Sequence, residues 1–380
     1  MIAQALQRLL AARPVLAAVR SAGEVLGLSA QELLHAGPPL RDPRRPPAVL
    51  MSSAVMTLLH AGHAASAVEA EAMVGSGEVH LASAQSRGCL VPLAFVVSSS
   101  TPLFEVPCGE ATLYAPVSTV CGPDTRMGSR DPALQQRLRD RDHLVAPGWA
   151  RLLRESGPVD LLPLAAHGLA QGDDLHARTT AANAALAQAM RLRGASALAG
   201  LVEATPLFFL TPWMAACAAI LRSAERGDVP SLVTRAGGNG ESFGIALAAS
   251  PSKWQSAEGT PPRGPLSPSA RGAAVCPAIG DSAVIDMLGL GAMAFDGAPE
   301  PRAALGEHLP SGHRELAAKL LVCHHGLLGC RVGMDARLVL AHGVEPLVAL
   351  AMLAADGRGG LVGRGLYRPP RALFNEAVTG

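Results

Sequence analysis

Asp173, Asp174, His176 and Arg178 fall within six positions in QGDDLHARTTAANAALAQAM, residues 171–190. A carboxylate, an imidazole and a guanidinium at a helix start can bind an anion and move a proton, because the free N–H groups there attract negative charge and histidine titrates near neutral pH. The same residues also suit a local role, with Asp173 or Asp174 capping the helix that follows. A second stretch, TRAGGNGESFGI (234–245), sets Arg235 before Gly238, Asn239 and Gly240. Glycines there permit positive φ and let backbone N–H groups approach a ligand. A hairpin turn would use them equally well, and without G-x-x-x-x-G-K-[ST] the stretch is not a nucleotide P-loop. In IGDSAVIDMLGLGAMAF (279–295), Asp281 and Ser282 are natural caps of an apolar helix, with Asp286 one turn on. In RVGMDARLVLAHGVEPLV (331–348), Asp335 and Arg337 point to one face of a strand-like stretch, as an ion pair or an anion site. In GLVGRGLYRPP (360–370), Arg364 follows Gly363, where its planar fork can reach a small anion.

LVCHHGLLGC (321–330) raises metal chemistry, with Cys323, His324, His325 and Cys330 close together. A structural zinc site needs four ligands, usually as two close pairs. Here one cluster stands alone, and adjacent histidines point apart on any regular element. The stretch reads as packing at the end of a core helix running into the strand that carries Asp335 and Arg337, and no metal or cofactor is expected.

Composition narrows the partners. Net charge is +1 with 17% charged residues, which gives no field for steering a polyanion, so nucleic acid is not an expected partner. The seven cysteines are odd in number and scattered, a poor disulfide framework. The start, MIAQALQRLLAARP, is too short and polar for a secretory signal. The most apolar window, 201–221, is interrupted by Glu203, Pro206 and Pro212, so it reads as a buried helix rather than a membrane span. A soluble, cytoplasmic protein is expected.

The elements that must position these residues alternate in type. Strands are expected at 14–20, 78–82, 91–98 and 103–106, with helices at 49–61 and 64–75. Residues 131–195 carry helical spacing. Beyond them come a helix at 212–226, strands at 231–234 and 242–249, helices around 281–295 and 313–322, and a buried helix at 344–355. The Pro/Gly/Ser-rich stretch 250–272 is long for a loop in a compact domain, hence mobile or functional. The fold class is mixed α/β (α+β), with α/β subdomains at 1–130 and 196–380 and a helical one at 131–195 between them.

The segments LLHAGPPL, QGDDLHAR, FFLTPWMAACAA, GNGESFGI, IGDSAVIDMLGLG, GMDARLVLAHGVEPL and GRGLYRPPRALF stand in the order and spacing of the YlbE/YahG family. The chain resembles that family over about residues 14–376. The resemblance implies a mixed α/β fold with a small inserted helical subdomain. It also implies a link to FdrA-like proteins and oxamate carbamoyltransferase, in which oxalurate and phosphate give oxamate and carbamoyl phosphate, the YlbE-like chain being the AllG subunit of a homo- or hetero-oligomer. On that basis Arg235, Arg337 and Arg364 would bind carboxylate or phosphate, Gly238 and Gly240 would offer N–H donors, and Asp174 and His176 would organise a proton path. Arg178, Asn239, Asp281, Ser282, Asp335 and Gly363 complete the expected site.

The chain also departs from the family pattern. A cysteine- and histidine-rich loop is replaced by GEVHLASAQSRGCLVPLAF, with only His80 nearby. An HNRN-like run reads HARTT, which keeps His176 and Arg178, and the acidic residue of the GDSAITE-like helix is Asp286. The readings left open are a carbamoyltransferase subunit, a non-catalytic or partner-stabilising paralogue, and a separate small-anion enzyme on the same scaffold.

Overall fold

LTPWMAACAAILR forms the helix Leu210–Arg222, which is buried on every face, as expected of an apolar helix inside a large core. Pro212 lies in its first turn, where the missing N–H costs nothing. The computed structural model describes residues 3–120, 122 and 124–379; Cys121 lies outside them.

The central helix packs against an antiparallel sheet of Ala18–Ser21, Pro102–Cys108 and Ala111–Pro116, and against the strand Val233–Asn239 of a second sheet. That second sheet runs Gln255–Glu258, Ser242–Leu247, Val233–Asn239, Ile279–Gly280, all antiparallel. Glu32–His35 and His80–Ser83 pair in parallel. Helices Ala133–Asp140, Ala146–Ser156, Leu161–Ala170 and Thr180–Leu192 fill the middle of the chain. The fold is mixed α+β. Its largest core cluster reaches from Leu9 through Trp149 and Trp213 to Phe374, so it draws on the first, middle and last thirds of the sequence. Trp149 stacks on Phe208 at 5.8 Å, and Phe104 meets both rings edge-on. No helix among the described residues is long and apolar enough to cross a membrane.

Several expected elements change type. Residues 91–98 form turns instead of a strand and pair only at Leu34–Val97, because Pro92 cannot donate to a ladder and Leu93 has φ 48°. The expected helix at 344–355 is the strand Val348–Leu353, paired with Leu361–Tyr367. A short apolar run suits a buried strand as well as a helix, and the hairpin partner decides. The helix expected over 281–295 stops at Leu288, where Gly289 takes φ 117°. The one expected over 313–322 is shorter, Leu316–Leu320. LVCHHGLLGC is a hairpin of Leu321–His325 and Cys330–Met334, not a helix end. Cys323 and His325 share one strand face and His324 takes the other, where it is exposed. Segment 250–272 contributes the strand Gln255–Glu258 and lies along the last hairpin through Arg263–Leu366 and Leu266–Gly363 bridges.

The Gly-rich motifs meet backbone to backbone. A Cβ on Gly37 would lie 2.4 Å from the carbonyl carbon of Gly238, and Gly37 itself has φ 78°. Asp281 locks this crossing. Its Oδ1 accepts the Gly37 N–H at 2.8 Å and Gln85 Nε2 at 2.7 Å, and its Oδ2 accepts the Val91 N–H at 2.9 Å. Burial pushes its carboxyl up to about 7 against those hydrogen bonds. Asp281→Asn keeps the shape but turns an NH2 against donors. An unsatisfied buried donor costs ~1–3 kcal/mol, so we expect a loss of about 3 kcal/mol, read as a lower urea midpoint at unchanged slope.

Candidate functional site

A cavity of about 830 Å³ opens between the turn before Thr180–Leu192, the start of Ala283–Leu288, the turn Thr125–Met127 and the hairpin Val348–Leu353/Leu361–Tyr367. Its polar side chains include Arg126, His176, Arg178, Ser282, Glu300 and Arg364.

The turn at 173–178 is built by its two aspartates. Asp173 Oδ2 accepts the N–H groups of Ala181 and Ala182 at 2.8 and 2.9 Å, so it caps the helix in space. Asp174 accepts the N–H groups of Ala177 and Arg178 at 2.9 and 2.7 Å. Burial raises its carboxyl to about 6 against those bonds. Both oxygens of Asp174 are therefore engaged by backbone, and it makes no hydrogen bond to His176. The partner of His176 is Asp286: Nδ1 lies 2.6 Å from Asp286 Oδ2. Asp286 Oδ1 accepts the Ala292 and Ala349 N–H groups at 2.8 and 3.1 Å, which fixes the carboxylate. Burial opposes protonation of His176, but the charge and hydrogen bond of Asp286, with the charge of Asp174, outweigh it and raise the imidazole above its ordinary value. With Nδ1 spent on Asp286, Nε2 is the nitrogen left for the cleft.

Three guanidinium groups accompany it. Arg126 is only 9% exposed, and its Nε has no hydrogen-bond partner and lies 3.9 Å from Asp124. A buried cation so loosely paired is costly unless an anion completes it. Arg178 Nε is 3.2 Å from Asp173 Oδ1, near enough for an ion pair but not aligned as a hydrogen bond. Arg364 pairs with Glu300, and that hydrogen bond holds the Glu300 carboxyl below its usual range. Gly363, beside Arg364, is required by packing: a Cβ there would lie 2.4 Å from the Pro265 carbonyl oxygen.

The backbone is strained around this cleft. Leu93, Leu175 and Leu207 take φ 48°, 67° and 61°. Leu93 and Leu207 line the cavity, and Leu175 precedes His176. Left-handed backbone costs a residue with a Cβ ~1–2 kcal/mol, and such strain gathers at functional sites.

Thus His176, Arg178, Ser282, Gly363 and Arg364 come together, with Asp174 shaping the turn beneath them. The other expected residues lie elsewhere. Arg235 is held by Glu225 and the Gln85 carbonyl. Gly238, Asn239 and Gly240 form the glycine crossing and hairpin turn. There Asn239 Nδ2 donates to the Pro38 carbonyl, and the Gly240 N–H donates to Ala278, which leaves them unavailable to an anion. Asp281 faces the crossing. Asp335 caps the helix Ala336–His342 through the Arg337 N–H, so the two are not a strand pair, and the Arg337 side chain is exposed. Arg126 and Asp286 were missed as site residues. Asp286 had a signal, a lone acid within an apolar helix. Arg126 had none, because only the tertiary fold buries it.

A family model described as "Oxamate carbamoyltransferase subunit AllG" matches residues 79–282, over half of the chain. The chain is 27% identical over 401 residues to "Uncharacterized protein YahG" of Escherichia coli K12, covering 99% of this chain and 84% of that protein. It is 27% identical over 369 residues to the "Oxamate carbamoyltransferase subunit AllG" of the same organism, covering 91% and 88%. A crystal structure of a conserved protein of unknown function from Enterococcus faecalis V583 superposes with a TM-score of 0.91 at 21% identity, covering 99% of this chain and 95% of that one. At that identity the likeness speaks for the fold.

Proposed function

Because the chain belongs to the AllG family of oxamate carbamoyltransferase subunits, we propose that its cleft is a small-anion site of a carbamoyl-transferring assembly. The observation that carries the reading is the convergence of Arg126, Arg178, Arg364 and the Asp286-backed His176 on one cavity. The reaction is oxalurate plus phosphate to oxamate plus carbamoyl phosphate. A phosphate oxygen attacks the carbamoyl carbon, a tetrahedral oxyanion forms, and the C–N bond breaks as the oxamate nitrogen leaves with a proton. Arg126, Arg178 and Arg364 would hold the carboxylate and phosphate charges, which otherwise repel. His176, protonated on Nε2, would give the leaving nitrogen its proton, with Asp286 stabilising the imidazolium. On this reading the chain works as one subunit of a hetero-oligomer beside an FdrA-like partner.

The test is a thermal-shift titration with oxamate, oxalurate, carbamoyl phosphate and phosphate. A ligand at a hundred times its Kd adds ~2.7 kcal/mol, a few degrees in a chain of this length. Arg337→Ala, outside the cleft, is expected to keep the shift. The anion affinity should fall as pH rises through the raised pKa of His176, because the imidazolium is lost there. No shift with any of them, alone or with the FdrA-like partner, would favour the non-catalytic paralogue. One observation already leans that way: GEVHLASAQSRGCLVPLAF brings Pro92 and Leu93, and no histidine, to the cleft.

A further inference from the structure

The cleft is too large and too apolar for the small anions alone. Counting ~30 Å³ for each non-hydrogen atom, as in liquid water, oxalurate and phosphate together fill roughly 420 Å³ of the 830 Å³. The rest is walled by Leu93, Met127, Leu207, Leu210, Leu266 and Leu305. A cavity of this volume, mostly apolar with a few convergent charges, is the shape of a site for a larger organic ligand.

The leucines there are not incidental. Leu93 and Leu207 occupy left-handed backbone that glycine would adopt without strain, yet both line the cleft. Leu361 lines the cleft and is 51% exposed where it meets a neighbouring hollow lined by Ser129, Arg130 and Gly360. An apolar surface follows on from the charged groups, and among the described residues no segment fills it.

We propose that the cleft takes a carboxylate bearing an apolar substituent, namely a ureido acid or its carbamoyl-free counterpart with a branched aliphatic or aromatic side chain. The carboxylate pairs with the arginines and the substituent lies against Leu207, Leu210 and Leu266. This rests on the anion-site reading above and names its substrate class. Discrimination by such a wall is a matter of buried methylenes, and each is worth a factor of about four in affinity.

The experiment is calorimetric titration of the purified chain with N-carbamoylglycine, N-carbamoylalanine, N-carbamoylnorvaline, N-carbamoylleucine and N-carbamoylphenylalanine, with oxamate as the short reference. The expected result is affinity rising severalfold per methylene. Leu266→Asn should flatten that rise, and Arg126→Gln should weaken every member together. The alcohol analogues of the long members, lacking the carboxylate, should not bind. A series that binds with no dependence on the side chain overturns the substrate class and leaves the small-anion reading standing. Alcohols binding as well as acids also overturn it. If neither oxamate nor any ureido acid binds, to the chain alone or with its FdrA-like partner, the anion site and the substrate class both fall.

Discussion

Asp286→Ala is expected to lower the unfolding free energy by about 3–5 kcal/mol, the usual cost of removing one partner of a buried ion pair. Asp286 is fully buried and serves three groups: the His176 ring and the N–H groups of Ala292 and Ala349. The alanine variant leaves two backbone donors unsatisfied and a buried imidazole with no counter-charge. Urea unfolding of the variant reads the loss. Asp286→Asn separates stability from chemistry. Its carbonyl can still accept the two N–H groups, while its NH2 faces Nδ1 and forces the neutral ring to accept there. Burial, the largest influence on His176, then has only the weaker Asp174 charge against it, so the ring's pKa should drop below the ordinary 6.5. NMR titration of the ring would show it. A His176 pKa unchanged between wild type and Asp286→Asn would remove Asp286 from the account of the site.

Arg126→Met is expected to cost anion affinity ~10- to 100-fold, since a hydrogen bond to a charged group contributes ~1.5–3 kcal/mol. Its effect on the empty protein should be smaller than that of Asp286→Ala. Arg126 is buried with an unpartnered Nε and only a 3.9 Å approach to Asp124. Methionine removes that loosely paired cation but leaves the buried Asp124 carboxylate without it, and removing one partner of a buried pair is destabilising. The Tm of the free variant should therefore fall modestly, while titration with oxamate or phosphate shows weakened binding. A variant that loses stability and keeps its affinity would make Arg126 a structural residue.

Much of the helical scaffold was legible in the sequence because it rests on long periodic stretches: the helices at 48–60 and 133–192 and the buried helix at 210–222. Of the sheets, the strands around 103–106 and 242–247 were legible, while Val233–Asn239 was expected only as far as 234 because its glycines read as a loop. The failures came where one apolar run fits two structures. VEPLVALAMLAA has no period that separates helix from buried strand, and only pairing with Leu361–Tyr367 settles it. The site was half legible. HARTT and GRG carry His176, Arg178 and Arg364 to one cleft. GGNG looked equally suited to an anion, yet its glycines are there for the close approach of Gly37 to Gly238, a contact across the fold that no local pattern announces. Asp174 and Asp286 divide what seemed one job: the acid beside the histidine in sequence shapes the turn, and the acid that touches the ring comes from another helix.

The crossing of Gly37 over Gly238 also sets a timetable. Gly37 is anchored to Asp281, 244 residues further along the chain. At ~5–20 residues per second, a ribosome needs roughly 12–50 s to make that stretch. The loop around Gly37 must wait that long for its counterpart, and Gln85 and Val91, which share the same carboxylate, wait with it. The N-terminal third therefore emerges with unmet polar groups and an unfinished core. It is the part of the chain on which a chaperone has most time to act.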